Sequence, residues 1–230
     1  MELTPRLRTV AEFVPSGAEF ADIGTDHAYL PAWLILCGKI EHAIAADLRS
    51  GPLERARETA EKYAVSDRMD FRLCDGLTAI KPGEADTVAI AGMGGETIAH
   101  ILSFAPWTKD EGITLILQPM SSQEDLRRWL SENGYVVEVE RVVREEKTFY
   151  TVLVAKGGAD KSYSEGEYLV GKNSNDPLRG EYLDFMIGKL CRALQGQRSA
   201  SSRDEAAIAR NEEILNELEE MKKEWTVWQR

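Results

Sequence analysis

Apolar residues in the first 155 positions come in short runs, at 20–24, 42–47, 69–74, 87–91 and 113–118. Short apolar runs separated by helical patterns read as buried strands of a parallel sheet. Between them, the segments 28–37, 52–64, 96–104 and 122–133 have the length and spacing of helices. At the start, Thr4 and Pro5 precede Leu7, Val10, Ala11 and Val14, which predicts a short amphipathic helix with Thr4 as N-cap and proline at its first position. Strand and helix in alternation imply right-handed crossovers and a doubly wound α/β sheet.

Two β-rich runs, 135–143 and 148–155, break that rhythm, because only 144–147 separates them. Four residues cannot hold a helical crossover, so these strands are expected to pair as a hairpin. An antiparallel last strand on a parallel sheet is the Rossmann-like architecture of class I methyltransferases, whereas nicotinamide-binding domains usually keep the parallel order. From 156 to 175 the chain turns rich in Gly, Ser and charge and reads as a linker. A helical pattern opens at Asp176-Pro177 with Leu178, Tyr182, Phe185, Met186, Leu190 and Leu194. A second places Ile214, Leu218, Met221, Trp225 and Trp228 at heptad spacing. The expectation is a catalytic domain over 1–158, then a linker and an antiparallel helical coiled coil over 159–230.

Composition narrows the class. With 43% hydrophobic and 29% charged residues the chain should bury a core. The most apolar stretch, 29–37, is about half a membrane span and no signal-peptide core follows Met1, so a cytoplasmic protein without membrane contact is expected. Cys37, Cys74 and Cys191 are far apart and form no C-x-x-C pair, which suggests neither disulfides nor a metal site and makes them packing residues. The net charge of −11 argues against indiscriminate binding to a polyanion. Charge is uneven, however: 179–203 holds five basic residues against two acidic ones, a mildly positive surface.

Candidate chemistry gathers at strand ends. Asp22-Ile23-Gly24-Thr25-Asp26-His27-Ala28 follows the first strand and opens a helix, the place where glycine lets backbone amides approach a nucleotide. Asp26 and Ala28 stand where the usual loop has its second and third glycines. Asp47, followed by Leu48, closes the second strand about 20 residues on, where a carboxylate accepts from ribose hydroxyls. Asp75-Gly76 closes the third strand, and Gly92-Met93-Gly94-Gly95 the fourth. In an open α/β sheet the ligand crevice lies at these carboxyl ends, so their coincidence is more specific than any one motif.

These residues resemble one family, the bacterial tRNA (adenine(22)-N1)-methyltransferases of the TrmK type. Residues 22–31 are similar to its cofactor loop and 91–95 to its fourth motif. Leu115-Ile116-Leu117-Gln118-Pro119, with Asp125-Leu126-Arg127 and Trp129-Leu130 behind it, looks like its fifth-strand signature. Met120 departs from the family, where Asn is expected after Gln-Pro. The resemblance covers nearly the whole chain and implies S-adenosylmethionine as cofactor and tRNA as partner, with no metal and an oligomeric state left open. Carried over, it implies cofactor contacts at Asp22, Gly24, Thr25, Asp47, Leu48, Asp75, Gly76, Gly92, Met93 and Gly94. Substrate contacts would come from Arg6, Tyr29, Gln118 and Pro119, and catalytic roles from Asp26 and His27. Two rivals stay open here: a methyltransferase acting on a protein or small molecule, and a tRNA-binding protein that keeps the cofactor fold without turnover. A nicotinamide-dependent oxidoreductase is a third, disfavoured by the hairpin.

Overall fold

Phe20–Ile23 (β1) and Ala43–Asp47 (β2) are buried at every position, as expected of strands covered on both faces. The computed structural model describes residues 1–172 and 175–228, the side chain of Trp228 excepted. It divides into two compact units, Met1–Lys161 and Ser162–Arg230, against the expected break at 158.

In the first unit β1 and β2 are joined by β3 (Met69–Leu73), β4 (Thr87–Gly94), β5 (Thr114–Ser121), β6 (Tyr135–Glu145) and β7 (Thr148–Gly157). The spatial order is β3-β2-β1-β4-β5-β7-β6. Pairs among β1 to β5 are parallel, and β7 runs antiparallel to both β5 and β6. The hairpin is therefore present, with its second strand inserted next to β5 and its first strand on the edge.

Five helices cover the sheet: α1 (Pro5–Phe13), α2 (Tyr29–Leu36), α3 (Ser50–Lys62), α4 (Gly95–Ser103) and α5 (Gln123–Glu132). Val10, Leu34, Ile35, Ala56 and Ala60, from α1 to α3, share one core cluster. Ile98, Leu102, Leu126 and Leu130, from α4 and α5, belong to another. The sheet thus lies between two helical layers. Thr4 caps α1 as its sequence predicts, its Oγ1 accepting from Leu7 N at 3.4 Å, with Pro5 in the first turn. Arg127 of α5 and Glu140 of β6 form a buried ion pair at 2.6 Å that fastens helix to edge strand.

The second unit is helical: α6 (Glu165–Val170), α7 (Arg179–Ser199) and α8 (Glu205–Trp228). Arg198 pairs with Glu212 and Lys222 with Asp184, so residues late in α7 meet residues early in α8 and the two run antiparallel. Tyr182, Leu183, Met186, Leu194, Ile214 and Leu218 form the buried seam. Gly180 leaves room for Trp225, whose ring an added Cβ would meet at 2.5 Å. The Trp228 side chain, last in the expected heptad, lies outside the described residues, as do 173 and 174 of the expected linker.

That linker is more structured than its composition implies. It contains α6, which starts in a capping box: Ser164 accepts from Glu167 N while the Glu167 carboxylate accepts from Ser164 N. Gly166 and Gly171 mask this helix in the sequence. Cys37 is exposed rather than packed, because it sits at the C-cap of α2.

Candidate active site

Chain connections leave β1 toward β2 on one side and β4 toward β5 on the other, so the sheet's topological switch point lies between β1 and β4. Two glycine loops face each other there. Gly24, at φ +75°, comes so close to the β4 loop that an added Cβ would fall 2.1 Å from Met93 Cε. Gly92, at φ +80°, has open space beside it. Both conformations favour glycine, and together they leave backbone facing a crevice.

The loop after β1 holds its shape without the usual glycine series. Asp26 and Ala28 both have positive φ, 43° and 51°, at the two positions where that series would continue. The backbone of a glycine loop is thus kept by residues other than glycine; aspartate tolerates the left-handed region through local hydrogen bonding, and alanine adopts it at a cost of about 1 kcal/mol. Gly24 N and Thr25 N both donate to Ala46 O, at 2.8 and 3.0 Å, tying the loop to β2.

Three carboxylates stand at the carboxyl ends of β1, β2 and β3, differing in burial. Asp22 is buried, and its Oδ2 accepts from Thr25 Oγ1 at 2.7 Å. Burial pushes its pKa up to about 6; the Thr25 hydrogen bond opposes this and the Asp47 charge adds to it. Asp47 is also buried, with Oδ1 accepting from Arg49 N at 2.9 Å. Beside it Leu48 is 62% exposed, an apolar platform at a strand end. Asp75 lies exposed in the turn after β3, next to Gly76.

On the outer side of the β1 loop, Asp26 is paired with Arg55 of α3 at 2.5 Å and lies 3.7 Å from His27 Nε2. The rings of His27 and Tyr29 stack nearly parallel, with centroids 5.1 Å apart. All three side chains are at least partly exposed, so an anion and a flat aromatic surface face outward together.

Gln118 is 1% exposed. Its Oε1 accepts from Gly92 N at 3.1 Å and from Arg6 Nη1 at 3.0 Å, while its Nε2 donates to Pro119 O at 2.9 Å. Pro119 is buried opposite Met93 in the β4–β5 ladder. Arg6 is bound in turn to Glu145, through Nε at 2.8 Å and through its backbone N at 2.9 Å, and lies over the Tyr150 ring. Arg6 and Gln118, expected at the substrate, are in this arrangement joined to each other and to the glycine loop of β4. Met120 is 40% exposed where the resemblance leads one to expect Asn.

Sequence reasoning missed Arg55 and Glu145. No motif marks Arg55, which lies among other charges on the face of α3, and Glu145 meets Arg6 from 139 residues away. Among the described residues, no three His, Cys, Asp or Glu side chains stand together as metal ligands. No described helix is long and apolar enough to cross a membrane.

Comparison with known proteins agrees with this geometry. A family model described as a methyltransferase domain matches residues 3–153. The tRNA (adenine(22)-N(1))-methyltransferase of Bacillus subtilis (strain 168) is 37% identical over 221 residues, 95% of this chain and 93% of that protein. The crystal structure of Streptococcus pneumoniae Sp1610 in complex with S-adenosyl-L-methionine superposes with a TM-score of 0.81 at 30% identity, covering 94% of this chain and 99% of that one. M. capricolum TrmK in complex with S-adenosyl-homocysteine gives 0.77 at 28% identity, with 99% of both chains covered. With a methyltransferase-domain match over residues 3–153, a hairpin-ended sheet and likeness along nearly its whole length, this chain belongs to the tRNA (adenine(22)-N(1))-methyltransferase family.

Proposed function

We propose that this protein transfers the methyl group of S-adenosyl-L-methionine to N1 of adenine 22 in tRNA, the activity for which its Bacillus subtilis relative is named. The observation that supports the reading is the placing of Gly24, Asp47, Leu48 and Gly92 at the strand ends beside the switch point, where they would hold an adenosine with a charged tail. Bound there, S-adenosylmethionine supplies an electrophilic methyl on a sulfonium.

The chain's own residues do the rest by holding and shielding. The Asp47 carboxylate would accept from the ribose hydroxyls and Leu48 would cover one face of the adenine, with Asp75 and Gly76 at its edge. Asp22 and Thr25 would shape the floor beneath the amino-acid tail, against Gly92, Met93 and Gly94. Adenine N1 carries an in-plane lone pair and attacks without a strong base, so alignment and exclusion of water dominate. Tyr29 stacked on His27 offers a flat surface on which a displaced base can rest. Asp26 offers a carboxylate for the positive charge that the methylated base acquires, and Arg55 keeps that carboxylate in place.

The test is direct. Incubation with labelled S-adenosylmethionine and an unmodified tRNA transcript, followed by nuclease mapping, should locate 1-methyladenine at position 22. Label on protein or small molecules alone, or RNA binding without turnover, would reject the assignment.

A further inference from the structure

A continuous chain of hydrogen bonds runs from the β6–β7 turn to the crevice through three other elements. Glu145, near the end of β6, takes two nitrogens of Arg6 on α1. Arg6 Nη1 reaches Gln118 Oε1 on β5, and the same oxygen accepts from Gly92 N in the β4 glycine loop. Burial acts to raise the Glu145 carboxyl, but bonds from the Arg6 side chain and backbone, together with Thr4, outweigh it and hold the group below the ordinary glutamate range. Glu145 is therefore favoured as the carboxylate that accepts from Arg6.

We propose that Glu145 is a positioning residue for methyl transfer: it fixes Arg6, and through Arg6 the Gln118 carboxamide that sets the Gly92 amide at the crevice. This rests on the methyltransferase reading above. A Gln carboxamide has two rotational states that differ by exchange of oxygen and nitrogen. Gly92 N and Pro119 O favour the state with oxygen toward Gly92, and Arg6 reinforces it, because a guanidinium only donates. With Arg6 released, Oε1 would lose one of its two donors and the carboxamide that anchors Gly92 N would be held less firmly. Arg6 has other freedoms as a long side chain; Glu145 holds its Nε and its backbone N, and Met120 Sδ and the Tyr150 ring lie against the same guanidinium.

A second ion pair supplies the control. Glu12 of α1 and Arg141 of β6 are also joined, at 2.7 Å, between the same two elements. That pair can help to dock α1 but has no bond to Gln118. If Glu145 served only to dock the helix, Glu12→Ala and Glu145→Ala would behave alike.

The experiment compares the full chain with Glu145→Ala, Glu145→Gln, Arg6→Ala, Glu12→Ala and the Arg6→Ala/Glu145→Ala double variant. Methyl transfer to unmodified tRNA is measured at saturating cofactor and RNA, and amide hydrogen exchange over 91–95 is followed without substrate. Glu145→Ala should lower kcat at least tenfold with less than threefold change in tRNA KM, and exchange at the glycine loop should accelerate. The double variant should be no worse than Arg6→Ala alone, and Glu12→Ala should match the parent. Should Glu145→Ala not fold, the near-isosteric Glu145→Gln carries the same expectations. Parental kcat and exchange in the Glu145 variants, or equal losses in Glu12→Ala, would overturn the proposal. The exchange readout needs no activity, so a parent that methylates no tRNA would reject the methyltransferase reading and leave the relay itself measurable.

Discussion

The two units place their charges in contrasting ways. In the first, the titratable groups singled out by motif stand at neighbouring strand ends, where two are buried and one sits on a backbone with positive φ. In the second, charges are spread along helices and several are paired: Arg198 with Glu212, Arg210 with Glu165, Lys222 with Asp184. Exposed pairs of this kind contribute little stability, about 0 to 1 kcal/mol each. A buried, unneutralised carboxylate such as Asp22 costs more, and a fold retains such a cost where chemistry needs it. The contrast agrees with the methyltransferase-domain match, which lies at residues 3–153 within the first unit.

The largest expected effect isolates the Asp26 side chain from its backbone. Alanine would leave the strain at φ 43° and remove the carboxylate at once, whereas Asp26→Gly relieves the strain and removes only the carboxylate. Methyl transfer should fall about 100-fold at saturating substrates, the scale of a lost charge-stabilising group. The midpoint of urea unfolding should stay constant or rise. Parental turnover in Asp26→Gly would place the site's charge stabilisation elsewhere.

Next in size is Asp47→Ala. Loss of the ribose hydrogen bonds should weaken S-adenosylmethionine by about 1.5 to 3 kcal/mol, roughly 10- to 150-fold, with kcat little changed once cofactor saturates. Calorimetric titration reads this directly. An unchanged affinity would move the ribose away from β2.

A third test uses pH. The folded-state pKa of Asp22 is raised from 3.8 to about 6, so its protonated form stabilises the fold fully below pH 3.8. That contribution, about 3 kcal/mol for a shift of this size, is lost as pH rises through about 6. A cationic ligand placed next to Asp22 prefers the carboxylate. S-adenosylmethionine affinity should therefore rise severalfold between pH 5 and 7 in the parent and stay level in Asp22→Asn. The variant should also gain melting temperature relative to the parent above pH 6. A pH slope that persists in Asp22→Asn would assign the titration to another group.

The two units were unequally legible in the sequence for physical reasons. Strands β1, β2 and β4 are mostly apolar because both sheet faces are covered, and the position of the motifs followed from strand ends alone. The shape of the β1 loop was hidden because Asp26 and Ala28 occupy glycine conformations. The state of Gln118 could not be read at all: a motif gives the position of a side chain, and its partners Arg6 and Glu145 come from distant elements. Helix α6 was obscured by flanking glycines, although its Ser164-x-x-Glu167 capping box was there to be seen. The basic cluster at 179–203 was legible only as composition, and the structure subdivides it. Arg179 is buried, donating to the carbonyls of Val170 and Gly171, and Arg198 faces Glu212.

The smallest expected effect tests whether what remains of that cluster guides RNA. Lys189 and Arg192 are exposed on α7, three residues apart and so on one helix face, with no ion-pair partner among the described residues. Helix packing does not require them, since the α7 seam is made by Tyr182, Leu183, Met186 and Leu194. If that face meets phosphate, the full-length double variant Lys189→Ala/Arg192→Ala should bind unmodified tRNA several-fold more weakly at low salt. Because each neutralised phosphate releases counterion, the slope of log affinity against log salt should become shallower by about two. Cofactor affinity should not move, as neither residue belongs to the unit that holds the crevice. A salt slope equal to the parent's would make α7 and α8 a scaffold, and the phosphate contacts would then have to come from the first unit.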